Sequence, residues 1–332
     1  MYAETLEQVE NADRLGYDTF SVIEHYFWEN FSISTDPLSF FAAAAQRTRR
    51  IVFRTLLHTL PLHNPTVLAS RIAAADILLE GRYEFGVGRG HGWLPPKAGI
   101  PLGETQGRYD EGLDVLLLAL ENERFSYDGR FWKIDDGHVV PRPDRRFRIF
   151  VGGTSDATYE RAGRRGWGVA VPPLLPYAAL ERQLDLYRAS CAEAGHDPDI
   201  VWIHAVHIDE DRDTALREAE EGITRFFRAQ AVASPELASK EELEAAGYGF
   251  YASGILEHVA AMPYQEVVEG DYVWVGTPED IVERVAAIRD LCPGLTEVAI
   301  VANAGGAVHW KAIKAQELFA EHVIPAFRDA AP

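Results

Sequence analysis

"IVFRTLLHTLPLHNPTVLASRIAAADILLEGRYEFGVG", Ile51 to Gly88, decides the fold. A β-rich run, Ile51–Leu57, leads into an amphipathic helical pattern over Pro65–Leu79, and a second β-rich run, Tyr83–Gly88, follows at once. Strand, helix and strand in that succession call for a crossover connection, and hence for parallel strands.

The same rhythm continues in both directions. Strand patterns recur at Asp18–Glu24, Arg148–Gly152, Gly168–Val171, Val201–Ile208 and Glu297–Val301. Helical patterns cover roughly Asp36–Thr48, Gly103–Glu121, Ser155–Arg165, Tyr177–Ala194, Asp213–Arg228, Pro278–Asp290 and Trp310–Phe327. This alternation describes an α/β chain of the TIM-type (β/α)8 barrel class, a single domain over residues 1–332. Seven strands are visible where a closed barrel needs eight, and the deficit is at the front. The chain opens directly in a helix, "AETLEQVENADRLG", closed by Gly16, so the expectation is a barrel without its first strand. Either the true start lies upstream or the barrel is open. Two insertions break the rhythm: Arg124–Arg146, after the fourth helix, suits a small hairpin, and Ala231–Val275, before the eighth strand, is a long irregular stretch.

With 332 residues and 47% hydrophobic content, the chain can bury a large core. Its 32 Lys and Arg against 51 Asp and Glu give a net charge of -19, which repels phosphate backbones and anionic membrane surfaces. Neither nucleic acid nor a membrane is an expected partner. The start carries acids instead of a basic flank and apolar stretch, and the longest apolar run, "VLLLAL" (Val115–Leu120), is too short to span a bilayer, so a cytoplasmic location is expected. Cys191 and Cys292 stand alone, as buried reduced thiols would.

Barrel chemistry sits at the C-terminal ends of strands. Glu24 and His25 close the first strand pattern, His58 follows the second, and Gly88–Arg89–Gly90 follows the third. "FGVGRGHG" lacks the G-x-G-x-x-G spacing of a dinucleotide fold, yet its glycines permit close approach to a ligand and Arg89 offers a fork of donors for a phosphate. The plainer reading is a tight turn with a solvated arginine. In "FVGGTSDATYERAGRRG" a glycine pair precedes Thr154, Ser155 and Thr158 at a helix start, a setting that suits an anion or, equally, a serine that merely caps the helix. No metal site is expected: His204 and His207, three apart in a strand, face opposite sides, and none of the 11 histidines forms H-x-H or H-E-x-x-H. Hydrolase-elbow and P-loop motifs are absent.

"LGYDTFSVIEHYF", "LPLHNPTVLASRIAAADILLEGRYEFGVGRG", "FSYDGRFW", "GGTSDATYERAGRRGWGV" and "VGTPEDIVERV" resemble, in order and spacing, the bacterial luciferase-like family of flavin-dependent monooxygenases, from about Leu6 to Phe327. The resemblance implies a (β/α)8 barrel that binds reduced FMN, which reacts with O2 to a flavin hydroperoxide and oxidises a small organic substrate. It places His25 on the family's active-site histidine and Arg89, Ser155 and Thr158 on its FMN phosphate. Gly88 falls beside the reactive edge of the flavin, and Leu56–Leu57 on a frequent non-proline cis peptide. Leu57, Gly90 and Gly153 are counted with the cofactor-binding residues, and Glu24 is given the role of orienting the chemistry at His25. Tyr26 and Thr154 replace a histidine and an acid of luciferase itself, which argues against light emission.

The implied protein is the oxygenase of a two-component system, fed by a separate flavin reductase and assembled as a homodimer. Ala231–Val275 would close over the mouth, and Tyr26, Phe27, Trp28, Phe31 and Trp93 would give an apolar or aromatic pocket. Two alternatives are compatible with the sequence: a deazaflavin-dependent hydride-transfer enzyme of the same fold, and a non-catalytic flavin-binding subunit.

Overall fold

The computed structural model describes every residue except Asn30, Leu174, 233–237 and 329–332. The strands are β1 (Thr19–Val22), β2 (Val52–Thr59), β3 (Tyr83–Gly88), β4 (Phe125–Asp128), β5 (Lys133–Gly137), β6 (Ile149–Gly152), β7 (Gly168–Val171), β8 (Ile200–Ile208), β9 (Trp274–Gly276) and β10 (Leu295–Val301). Hydrogen bonding links them in the order β1-β2-β3-β6-β7-β8-β10, with β9 beside β8. All seven expected strands are present, and their order follows the sequence, as strand-helix-strand crossovers require. This is the expected β/α topology. β4 and β5 pair antiparallel, so the first insertion is the hairpin read from the sequence.

The chain divides into two compact units, each with its own core. Asp18–Phe150 with Val232–Ile255 make the unit that holds His25. Here β1, β2 and β3 pair in parallel, Phe20 opposite Phe53 and Phe53 opposite Tyr83. Phe41, Phe53, Tyr83 and Phe85 are fully buried among them. The helix Pro65–Leu78 starts where its sequence tells it to: Asn64 accepts from the amides of Thr66 and Val67, and Pro65 occupies the first turn, where no amide hydrogen is needed. Arg54 is completely buried because it is paired, donating to Glu84 at 2.7 and 2.9 Å and lying 4.3 Å over the Phe150 ring.

The other unit comprises Met1–Tyr17, Val151–Ala231 and Leu256–Pro332 and holds Ser155. In it β8 is the centre: Ile200–Trp202 pair with β7, Ile200–Ala205 with β10, and Val206–Ile208 with β9. The opening helix, Tyr2–Leu15, is tied to the helix His309–Leu318 by Asn11 donating to Gln316 at 2.9 Å.

The long second insertion is corrected by the structure. Apart from the residues outside the description, Ala231–Val275 is mostly helical, with helices at Lys240–Ala245, Gly249–Ala252, Ile255–Ala261 and Tyr264–Glu269, and it ends in β9. These helices have one or two turns, too short for a 3.6-residue period to stand out in the sequence.

Candidate active site

β1 ends at Val22, so Glu24 and His25 lie just beyond the strand and not within it. Their side chains go separate ways. Glu24, 5% exposed, is the hub of a buried polar cluster: its carboxylate is 2.7 Å from His58 Nδ1, 2.6 Å from His63 Nε2 and 2.8 Å from the Tyr26 hydroxyl. Burial alone would raise the Glu24 pKa; the bonds from His58 and His63 outweigh it and hold it at about 2. An ionised carboxylate only accepts, so all three partners donate to it. Burial lowers the His58 pKa, which leaves the ring neutral with its one proton toward Glu24 and its Nε2 accepting from the Tyr83 hydroxyl at 2.9 Å. Thr55 Oγ1 lies 2.8 Å from the same hydroxyl. Residues 55 and 58 would face opposite sides of a regular strand. They meet at Tyr83 because the register of β2 against β3 slips between them, Thr55 pairing with Phe85 and His58 with Val87.

The sequence reading had His58 following its strand and left out His63 and Tyr83; His58 lies inside β2. Both carboxylate oxygens of Glu24 are engaged, by His58, His63 and Tyr26. Glu24, His58 and His63 bring three ligand-type atoms within 4.8 Å of one another. Both histidine nitrogens are at hydrogen-bond distance from the carboxylate, so the cluster is proton-bonded as it stands.

His25 is fully buried in an aromatic enclosure. Its Nε2 accepts from the Trp93 indole at 3.1 Å, and its ring lies 4.5 Å from that of Phe31 and 5.6 Å from that of His91. His91 stacks on Trp93 at 4.2 Å and bonds the Tyr251 hydroxyl through Nδ1 at 2.8 Å. Burial pushes the His25 pKa down to about 4, partly offset by the Ser32 backbone, and that of His91 to about 3. Both are neutral at pH 7. Phe31 and Trp93 are walls as the sequence suggested, whereas Phe27 is 54% exposed; His91 and Tyr251 went unread because nothing in their spacing links them.

The Leu56–Leu57 peptide is cis, as the resemblance implied. The glycines of β3 serve the leucine beside them: a Cβ at Gly88 would lie 2.4 Å from Leu57 Cδ1, so only glycine admits that side chain. Gly90 has φ 75° and sits against Thr59. Arg89 donates to the carbonyls of Ala246 (2.8 Å) and Gly247 and lies 4.2 Å over the Tyr248 ring. It is partly exposed but held in place by these contacts.

In the other unit, Ser155 stands at the N-cap of the helix Asp156–Arg165 without capping it. Its hydroxyl instead meets that of Thr158 at 2.8 Å. The capping explanation therefore fails, and the pair of hydroxyls at a helix N-terminus, after Gly153, keeps the chemistry of an anion site.

Residues 1–293 match the model of the luciferase-like monooxygenases. The chain belongs to that family. This luciferase-like protein is 24% identical to the oxygenase component of a flavin-dependent trigonelline monooxygenase from Acinetobacter baylyi, over 99% of its own length and 91% of the relative's. It is also 24% identical to an F420-dependent glucose-6-phosphate dehydrogenase from Microbacterium testaceum, over 84% and 82%. Only about half of some relatives is matched: 49% of the uncharacterized protein y4vJ of Sinorhizobium fredii, at 30% identity. Among solved structures, the monooxygenase RslO1 from Streptomyces bottropensis superimposes with a TM-score of 0.83 at 28% identity, covering 98% of this chain and 93% of that one. The luciferase-like chain is thus an oxidoreductase of the flavin type. Its own residues fit such a group in each unit taken alone: a buried imidazole with a nitrogen lacking a hydrogen-bond partner, and a hydroxyl pair that leaves the helix uncapped. No helix among the described residues is long and apolar enough to cross a membrane.

Proposed function

We propose that this chain is the oxygenase of a two-component system that uses reduced FMN, supplied by a separate reductase, and O2 to oxidise a small organic substrate. The observation that carries the reading is His25: neutral, fully buried among aromatic rings, with one ring nitrogen left without a partner. Bound reduced FMN would supply the activation of dioxygen. This chain's residues would do the rest. His25 would hold a proton at its ring nitrogen toward the reacting atoms, and Phe31, His91, Trp93 and Tyr251 would exclude water and favour an apolar or aromatic substrate. Leu57, Gly88 and Gly90 would shape the strand end beside the cofactor. Ser155 and Thr158, with Gly153 before them, would hold its phosphate through their hydroxyls, and Arg89 is proposed for the same group through its guanidinium. The segment Ser239–Ile255, which Arg89 and His91 bind, would cover the site.

The two-component form is supported by the trigonelline enzyme, which is an oxygenase component and flavin-dependent. We further propose a cytoplasmic homodimer whose 332 residues act as one domain; the family match running through both units supports the latter. The second reading, hydride transfer with the deazaflavin F420, is favoured by the F420-dependent relative. Loading the chain with reduced FMN or reduced F420 separates the two. Oxygen consumption with an oxygenated product after FMN supports the proposal, and turnover restricted to F420 without oxygen refutes it.

A further inference from the structure

The contact between Trp93 and His25 carries chemical information beyond packing. The indole Nε1 points its hydrogen at His25 Nε2 across 3.1 Å. An indole nitrogen donates and cannot accept. His25 Nε2 is therefore the bare nitrogen, and the one proton of a neutral ring sits on Nδ1. That Nδ1 belongs to a side chain with no solvent exposure and has no partner in hydrogen-bonding geometry. Buried N–H groups are rarely left so, and one that is points to a missing acceptor.

Trp93 can impose this because it is itself held. It is 1% exposed, with His91 stacked on its face at 4.2 Å and 12° and the Tyr251 ring at its edge. His91 is anchored in turn by the Tyr251 hydroxyl. Around His25 the titratable neighbour is His91, the Glu24 carboxylate next in sequence is taken by His58, His63 and Tyr26, and the Ser32 backbone acts on the ring without reaching hydrogen-bond geometry at Nδ1.

We infer that Trp93 is a positioning residue that locks His25 into the Nδ1–H tautomer, so that His25 serves the reaction as a hydrogen-bond donor to a ligand oxygen and not as a base through Nε2. The inference rests on the oxygenase reading for its purpose, though not for its geometry. It closes a choice that the amino-acid sequence leaves open, since a histidine at a strand end can equally donate or accept.

The test uses the full chain labelled with 15N-histidine and free of flavin, with two-bond proton–nitrogen correlations recorded at pH 7. His25→Gln identifies the His25 signals by their loss. The parent is expected to show a protonated Nδ1 and a bare Nε2, and Trp93→Phe to spread the proton over both nitrogens. A parent with its proton on Nε2, or a Trp93→Phe variant that keeps the parent tautomer, overturns the inference; if that variant does not fold, the parent spectrum decides alone. A second arm compares turnover: an asparagine amide mimics Nδ1–H and a glutamine amide mimics Nε2–H, so His25→Asn should outperform His25→Gln by roughly tenfold, about one hydrogen bond. Equal rates refute the donor role. Because the spectra need no cofactor, a failed FMN titration would remove the oxygenase reading and leave the tautomer result standing.

Discussion

Around His25 and Glu24, burial acts on both side chains and is overruled at only one of them. At Glu24 the donated bonds from His58 and His63 win, and the carboxylate stays ionised down to a pKa of about 2. At His25 nothing of comparable strength opposes desolvation, and the ring stays neutral down to about 4. His25→Ala is expected to leave folding and FMN binding intact and to slow product formation by roughly 100-fold or more, the usual weight of a positioned proton donor or acceptor. Product analysis beside an FMN titration checks this; turnover at the parent rate would make His25 structural. Glu24→Gln replaces an acceptor of three donors by an amide that must turn its NH2 toward one of them. Urea unfolding at pH 7 should show a loss of about 1–3 kcal/mol. A depressed carboxylate pKa adds stability that is complete above about pH 4.5 and is lost as pH falls toward 2, so the gap between parent and variant should close over that window.

Among the elements, the segment from Lys240 to Ala252 depends on β3 through few contacts. Arg89 satisfies carbonyls at the C-terminal end of the helix Lys240–Ala245, where a cation is favoured, and stacks on Tyr248 one residue further on. Tyr251 adds its bond to His91. Arg89→Ala should therefore raise amide exchange in residues 240–252 while β2 and β3 stay protected, a local loss of about 1–3 kcal/mol. The phosphate role proposed for Arg89 predicts a separate weakening of FMN binding, on the order of 1.5–3 kcal/mol. Exchange alone changing would make Arg89 a latch; affinity alone changing would make it a ligand residue.

For the molecule as a whole, the desolvated histidines set the acid limit. His25, His91 and His204 have pKa values of about 4, 3 and 3, each lowered by desolvation first. In the unfolded chain they take up protons below pH 6.5, while in the folded chain they do not. Stability is therefore fully present above pH 6.5 and falls on acidification, by up to about 1.4 kcal/mol per pH unit for each ring. His204 offers the cleanest check: it is fully buried and lies between Trp202 and Trp274. His204→Phe should remove one ring's share of the slope between pH 6.5 and 5 in urea titrations. An unchanged slope would show that His204 is not buried neutral.

The order of strands and helices was legible in the sequence because apolar periodicity is a local property, written within a few residues of each element. Ile51–Gly88 shows its β-α-β pattern without reference to anything outside it. The motif order that revealed the family is equally linear, and it carried the Leu56–Leu57 cis peptide with it. Tertiary structure alone decided the partners at the site. Glu24 meets His58 and His63 from 34 and 39 residues away, Trp93 reaches His25 across 68, and Arg89 finds Ala246 across 157. A one-residue slip between β2 and β3 brings Thr55 and His58 to one hydroxyl, against the alternation that their spacing implies. Hydrogen bonds form or fail over a few tenths of an ångström, and that precision arises only when loops close and registers lock, from packing that no local pattern records.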